Sequence, residues 1–178
     1  AGVALEVTAS NFKRIQLTDR FYSEGVSTGD VNREGQIDVV SGPYAYLGPS
    51  FARGVEIYPP QTYAIANSTM AGQYTDNFLN YVHDFNADGW RDILVIGFPG
   101  KDTSWFENPK GRAGHWVRHR VFEQTDNESP TFTDLTGDGK PELVCITKGQ
   151  YGYAEPDWRA PQQPWTFRAI SPDNKYGN

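Results

Sequence analysis

Three short stretches of this chain place oxygen-bearing side chains at one fixed spacing. The first offers Asp30, Asn32, Glu34 and Asp38, with Gly35 between the last two. The second offers Asp84, Asn86, Asp88 and Asp92, with Gly89. The third offers Asp134, Thr136, Asp138 and Glu142, with Gly139. Positions 1, 3, 5 and 9 of each stretch thus carry side-chain oxygen, which is the chemistry of a hard cation: calcium takes about 6–8 oxygen ligands. Glycine at position 6 permits the sharp turn that wraps a loop round an ion. Position 7 would add a backbone carbonyl, that of Trp90 in the second loop. The second loop has the most regular set. Glu34 is one methylene longer than its counterparts, and the hydroxyl of Thr136 is a neutral ligand that weakens the third site. Ordinary Asx turns are the competing explanation, and three copies in register argue against it. An EF-hand is excluded, because position 12 is Ser41, Val95 or Cys145 rather than glutamate and no helix precedes the loops.

The elements that would hold these loops also repeat. The loops begin at Asp30, Asp84 and Asp134, about fifty residues apart, a period that signals an array of similar units. A β-branched run follows each loop, over 37–40, 93–96 and 143–147, and a glycine closes it at Gly42, Gly97 and Gly149. Next comes an aromatic stretch ending at Pro49, Pro109 or Pro156, and then an alternating segment over 55–58, 116–121 or 165–170. Period-two alternation marks half-buried strands. One strand before the loop and three after it make a four-stranded propeller blade. The expected fold is an all-β propeller, with blades over about 24–70, 77–124 and 129–172 and a lone fourth strand of a neighbouring blade over 10–19. Propellers close with roughly 4–8 blades, so three imply further blades from the same polypeptide or from other chains.

The loops and the strands after them resemble FG-GAP/VCBS repeats, which occur in integrin α-subunit propellers and in many secreted bacterial proteins. The stretches 21–25, 38–44 and 126–130 resemble a narrower group of large exported bacterial proteins, often with further domains for sugar binding or turnover. The resemblance implies a calcium-loop propeller that continues into more blades. A secreted or periplasmic setting suits it, because loops with few fixed ligands bind calcium weakly, at about 10⁻⁴–10⁻³ M in extracellular modules.

Charge and composition narrow the partners. The net charge is −6, whereas nucleic-acid binding needs a basic surface. No stretch approaches the roughly 20 apolar residues of a membrane helix. Cys145 is the only cysteine and sits in an apolar run, as a buried small hydrophobe would. Asn67, Ser68 and Thr69 form a glycosylation sequon, meaningful only in a eukaryotic secretory host.

Blade geometry puts the acidic loops and the turns between third and fourth strands on one face. The opposite face receives Tyr22, Glu24, Asp76, Asn77, Asn127 and Glu128 from inter-blade connections, and Tyr44, Lys101, Asp102, Gln150 and Tyr151 from the loops between second and third strands. Carboxylates, amides and tyrosines suit a polyol, whose hydroxyls bond and whose C–H faces stack. Recognition of a carbohydrate or a protein is the leading expectation. A lyase or dehydratase acting on an oxidised sugar is the alternative, with Glu24, Glu128 and His83 as acid/base candidates. A structural spacer is the third. His115 and His119 cannot share one ion, since four residues of strand span about 13 Å.

Overall fold

The computed structural model describes residues 13–64 and 73–172. Among them every regular element is a strand. The first blade holds β1 (Val26–Gly29), β2 (Asp38–Ser41), β3 (Tyr44–Leu47) and β4 (Arg53–Glu56). The second holds β5 (Leu79–His83), β6 (Asp92–Ile96), β7 (Lys101–Glu107) and β8 (Val117–Thr125). The third holds β9 (Thr131–Thr133), β10 (Glu142–Thr147), β11 (Gln150–Glu155) and β12 (Thr166–Ala169). Each blade is one antiparallel sheet whose strands pair in chain order, as the repeat predicts. Tight turns make this possible. Lys148 and Gly149 both take positive φ, at 51° and 75°, the pair of conformations a two-residue type I′ hairpin requires.

Residues 13–19 pair with none of the three sheets, and residues 10–12 of the expected 10–19 strand lie outside the described residues. A fourth strand of a neighbouring blade would find its partner in that blade, not in these three. The first sheet ends at Glu56, and β5 begins at Leu79. The sequon at 67–69 falls outside the described residues.

Alternation along each strand builds the core between blades, because successive side chains point to opposite faces. On β6, Ile93 and Val95 face the first blade and pack with Val40, Ala45, Leu47 and Ile57. Leu94 and Ile96 face the third blade and pack with Leu143, Cys145 and Ala154. On β7, Phe106 serves the first interface and Trp105 the second. The first strands of adjacent blades also approach closely. Ser27 Oγ donates to Asn80 Oδ1, and a Cβ added at Gly29 would stand 2.6 Å from Val82 Cγ1. Two equivalent backbone bonds tie the blades further out. Trp116 N donates to Ile57 O at 2.9 Å, and Trp165 N donates to Val121 O at 2.7 Å.

Candidate functional site

The three acidic loops share one backbone path. Gly35, Gly89 and Gly139 all lie in the left-handed region, at φ of 82°, 85° and 84°. Position 4 is left-handed too, at Arg33, Ala87 and Gly137; only the third loop meets this with glycine, so the first two hold a strained residue. In every loop the position-1 aspartate accepts the amide of the position-6 glycine, at 2.8 Å for Asp30, 2.9 Å for Asp84 and 2.9 Å for Asp134.

The position-9 acid does different work. Asp38 and Asp92 are fully buried and Glu142 nearly so. Asp92 Oδ2 accepts from Phe85 N at 2.9 Å, and Oδ1 accepts from Asn108 N at 2.8 Å. Asp38 repeats this with Val31 N and Gly48 N, both at 2.9 Å. Asp38 and Asp92 therefore clasp their acidic loops to the turn between third and fourth strands, whereas, among the described residues, Glu142 bonds only within its own loop, to Leu135 and Thr136. Burial pushes the Asp92 carboxyl up to about 7, and the two amide donors only partly offset it. Asn108 extends the clasp: its Nδ2 donates to Arg91 O and, across the blade boundary, to Val31 O, each at 2.8 Å.

The loops differ in readiness for a cation. Asp134, Asp138 and Glu142 bring three carboxylate oxygens within 4.8 Å of one another, the only such acidic group among the described residues. Ligands on opposite sides of a calcium at 2.3–2.6 Å would stand about 5 Å apart, so this cluster fits the ion. Glu142 is partly committed, accepting from Leu135 N at 2.9 Å, but a carboxylate has lone pairs to spare. The second loop, the most regular in sequence, does not gather its carboxylates in this way. Asp88 Oδ1 accepts from Trp90 N at 2.8 Å, and Lys110 Nζ stands 3.0 Å from Asp88 Oδ2. Burial would raise the Asp88 carboxyl, but Lys110 and the amide donors hold it below the ordinary carboxylate range.

On the opposite face a cavity of about 490 Å³ opens between the first and second blades. Five of the expected ligand residues line it: Tyr22, Asp76, Asn77, Lys101 and Asp102. Tyr44 stands behind it, edge-on to Tyr22 at 5.3 Å. Glu24 is turned aside to Thr75, whose Oγ1 donates to it at 2.6 Å. The third-blade set lies elsewhere: Asn127 Oδ1 accepts from Ile146 N at 2.8 Å, Glu128 is exposed, and Tyr151 borders a separate shallow hollow with Ile146 and Ile170.

Tyr58, Tyr63, Phe106, Trp116 and Arg118 are among the other wall residues. Sequence reading missed them because they come from β4–β5 and β7–β8 segments that fold back over the site. Arg118 is fixed by Asp102 Oδ2 at 2.6 Å and Ser104 Oγ at 3.0 Å. Tyr58 OH accepts from Asn77 Nδ2 at 2.8 Å, and burial pushes its pKa up to about 12. The buried Trp116 indole N–H has no hydrogen-bond partner among the described residues.

None of the acid/base candidates lines this cavity. His83 sits among the rings of Phe85, Phe132 and Trp158, and burial lowers its pKa. His115, which does line the cavity, bonds Glu56 at 2.7 Å, and His119 bonds a separate carboxylate, Glu107, at 2.9 Å. Cys145 is buried, which pushes its thiol up to about 12.

Residues 84–145 match the FG-GAP-like repeat, from the first acid of the second loop through the whole of the third loop into β10. No curated protein and no solved structure matches the chain. Residues 84–145 thus carry the FG-GAP-like repeat, and the chain is built as β-propeller blades, three four-stranded antiparallel sheets each with an acidic loop between its first two strands.

Proposed function

We propose that this chain is a calcium-stabilised propeller segment that recognises a carbohydrate in the cavity between its first two blades. The observation that carries the reading is the cavity itself. It sets aromatic walls (Tyr22, Tyr63, Trp116) beside fixed polar groups (Asp76, Asn77, Asp102, Arg118). Such a mixture suits a ligand with hydroxyls on its rim and C–H groups on its faces. Recognition is preferred to a lyase or dehydratase because Glu24, Glu128 and His83 do not converge on the cavity. It is preferred to a spacer because a spacer needs no such pocket. Titration calorimetry against neutral and acidic oligosaccharides should find a binder, and Tyr63→Ala should weaken it at least tenfold. A panel that fails to bind at millimolar concentration, or binding indifferent to Tyr63 and Arg118, would sink the reading and leave a protein ligand as the alternative.

Calcium belongs to the other face. Asp134, Asp138 and Glu142 would hold it in the third loop, where a divalent charge relieves the repulsion among three carboxylates. A ligand bound only to the fold stabilises it by about 2.7 kcal/mol at a hundredfold excess over Kd, or roughly 5–10 °C for a chain of this size. Chelation should remove this, and Asp138→Ala should abolish most of the chelator's effect. A thermal transition that chelator leaves unmoved defeats the calcium reading. Such weak sites are useful where calcium is abundant, so the protein is assigned outside the cytoplasm; fractionation into the cytosol would count against this. Further blades are expected against the third, where Val144 and Ile146 hold the register positions of Leu94 and Ile96 but are only half-buried.

A further inference from the structure

We infer that Lys110 is the resident cation of the second acidic loop and determines which loops take calcium. The inference rests on the calcium reading above for its metal-binding half only. Lys110 Nζ, on a side chain 43% exposed, lies 3.0 Å from Asp88 Oδ2 on a side chain 15% exposed; the contact is an ion pair without hydrogen-bond alignment, and Asp88 Oδ2 has no other partner among the described residues. The lysine arrives from an anchored turn. Its backbone is held left-handed at φ 58°, and its N–H donates to Asn108 Oδ1 at 2.9 Å. Asn108 is itself buried and bonded to Asp92 Oδ1. The ammonium is thus delivered by the same turn that the position-9 carboxylate clasps.

The other two loops have no such partner. Among the described residues no lysine or arginine forms an ion pair with Asp30, Glu34, Asp134 or Asp138. Arg33, within the first loop itself, lies over the Trp90 ring, 5.5 Å from its centroid. The loop with the tethered ammonium is also one whose carboxylates stay apart, whereas the acids of the third loop converge.

A tethered cation has a high effective concentration, and a free ion must displace it. Calcium entering the second loop would have to break the Asp88–Lys110 pair and leave the ammonium without a partner. The second loop therefore stays closed without metal, and calcium is directed to the third.

The test compares Lys110→Met with Lys110→Arg in the full chain. Methionine and arginine meet the same left-handed backbone cost as lysine, so the comparison isolates charge. Calcium binding is read by calorimetry and by terbium emission sensitised through Trp90, which stands at position 7 of this loop. Lys110→Met should gain one calcium site, or at least tenfold affinity at the second loop, with stronger terbium emission. In chelator it should melt below Lys110→Arg. If the wild type binds calcium in a manner sensitive to Asp138→Ala but Lys110→Met changes neither stoichiometry, affinity nor emission, the inference is overturned. If no variant binds calcium at all, the calcium reading itself has failed. The chelated melting comparison then decides the resident-cation role: equal transitions for methionine and arginine refute it.

Discussion

Replacing Asp92 with alanine should lower the melting temperature by about 10 °C even in chelator, when no metal can contribute. Asp92 is fully buried, and its two oxygens receive the amides of Phe85 and Asn108. Removing the carboxylate leaves both amides buried without acceptors, at ~1–3 kcal/mol each. A chain of this length loses about 2–4 °C per kcal/mol. Asp30→Ala should cost far less, because the amides Asp30 receives are solvent-exposed and water can replace it. The same carboxyl sets a pH dependence. Its folded pKa is about 7, raised chiefly by burial, against ~3.9 in an unfolded chain. A raised pKa means the fold binds the proton more tightly. The contribution is therefore fully present below about pH 4 and is lost as pH rises through 7. Chelated wild type should melt higher at pH 5 than at pH 8, and Asp92→Asn should flatten that slope. A silent Asp92→Ala would mean that the acid serves only a metal.

Trp105→Ala is expected to be at least as damaging. The side chain is 1% exposed and fills the interface between the second and third blades. It stacks on Phe85 at 5.3 Å, and its Nε1 donates to Pro161 O at 3.1 Å, across to the third blade. Truncating a buried tryptophan costs ~3–5 kcal/mol through lost contacts and the cavity left behind. Trp105→Phe keeps most of the apolar area and loses the indole bond, so about half the effect or less should remain. Denaturant unfolding followed by circular dichroism reads both. Equal stability of Trp105→Ala and wild type would mean that the second and third blades do not share a core.

The fold was legible because its signals are local. A β-branched run, a glycine and an alternating segment lie within a few residues of each other, and strand pairing inside a blade joins consecutive segments. The conformation of Gly35, Gly89 and Gly139 was readable for the same reason. What escaped depends on contacts between segments distant in sequence. Nothing near Asp88 announces that Lys110 will reach it. Nothing near Val31 announces that Asn108, 77 residues away, will bond its carbonyl. The loops show the same division: side-chain identity favours the second loop, whereas the carboxylate oxygens converge in the third. The cavity was half legible. Its loop residues followed from blade geometry, but Tyr58, Trp116 and Arg118 belong to strands or their ends and read as ordinary core or solvated face.

The bonds that cross from one blade to the next bear on how such arrays can be cut and rejoined. Val31 O is served by Asn108 of the following blade, Ile57 O by Trp116, and Val121 O by Trp165. The two backbone bonds are equivalent, so a clean deletion of the second blade would offer Trp165 N to Ile57 O and restore that tie. The side-chain bond is not interchangeable: Glu155, before Pro156, stands where Asn108 stands before Pro109, and a carboxylate cannot donate to Val31 O. Such a deletion should therefore fold better when Glu155→Asn accompanies it.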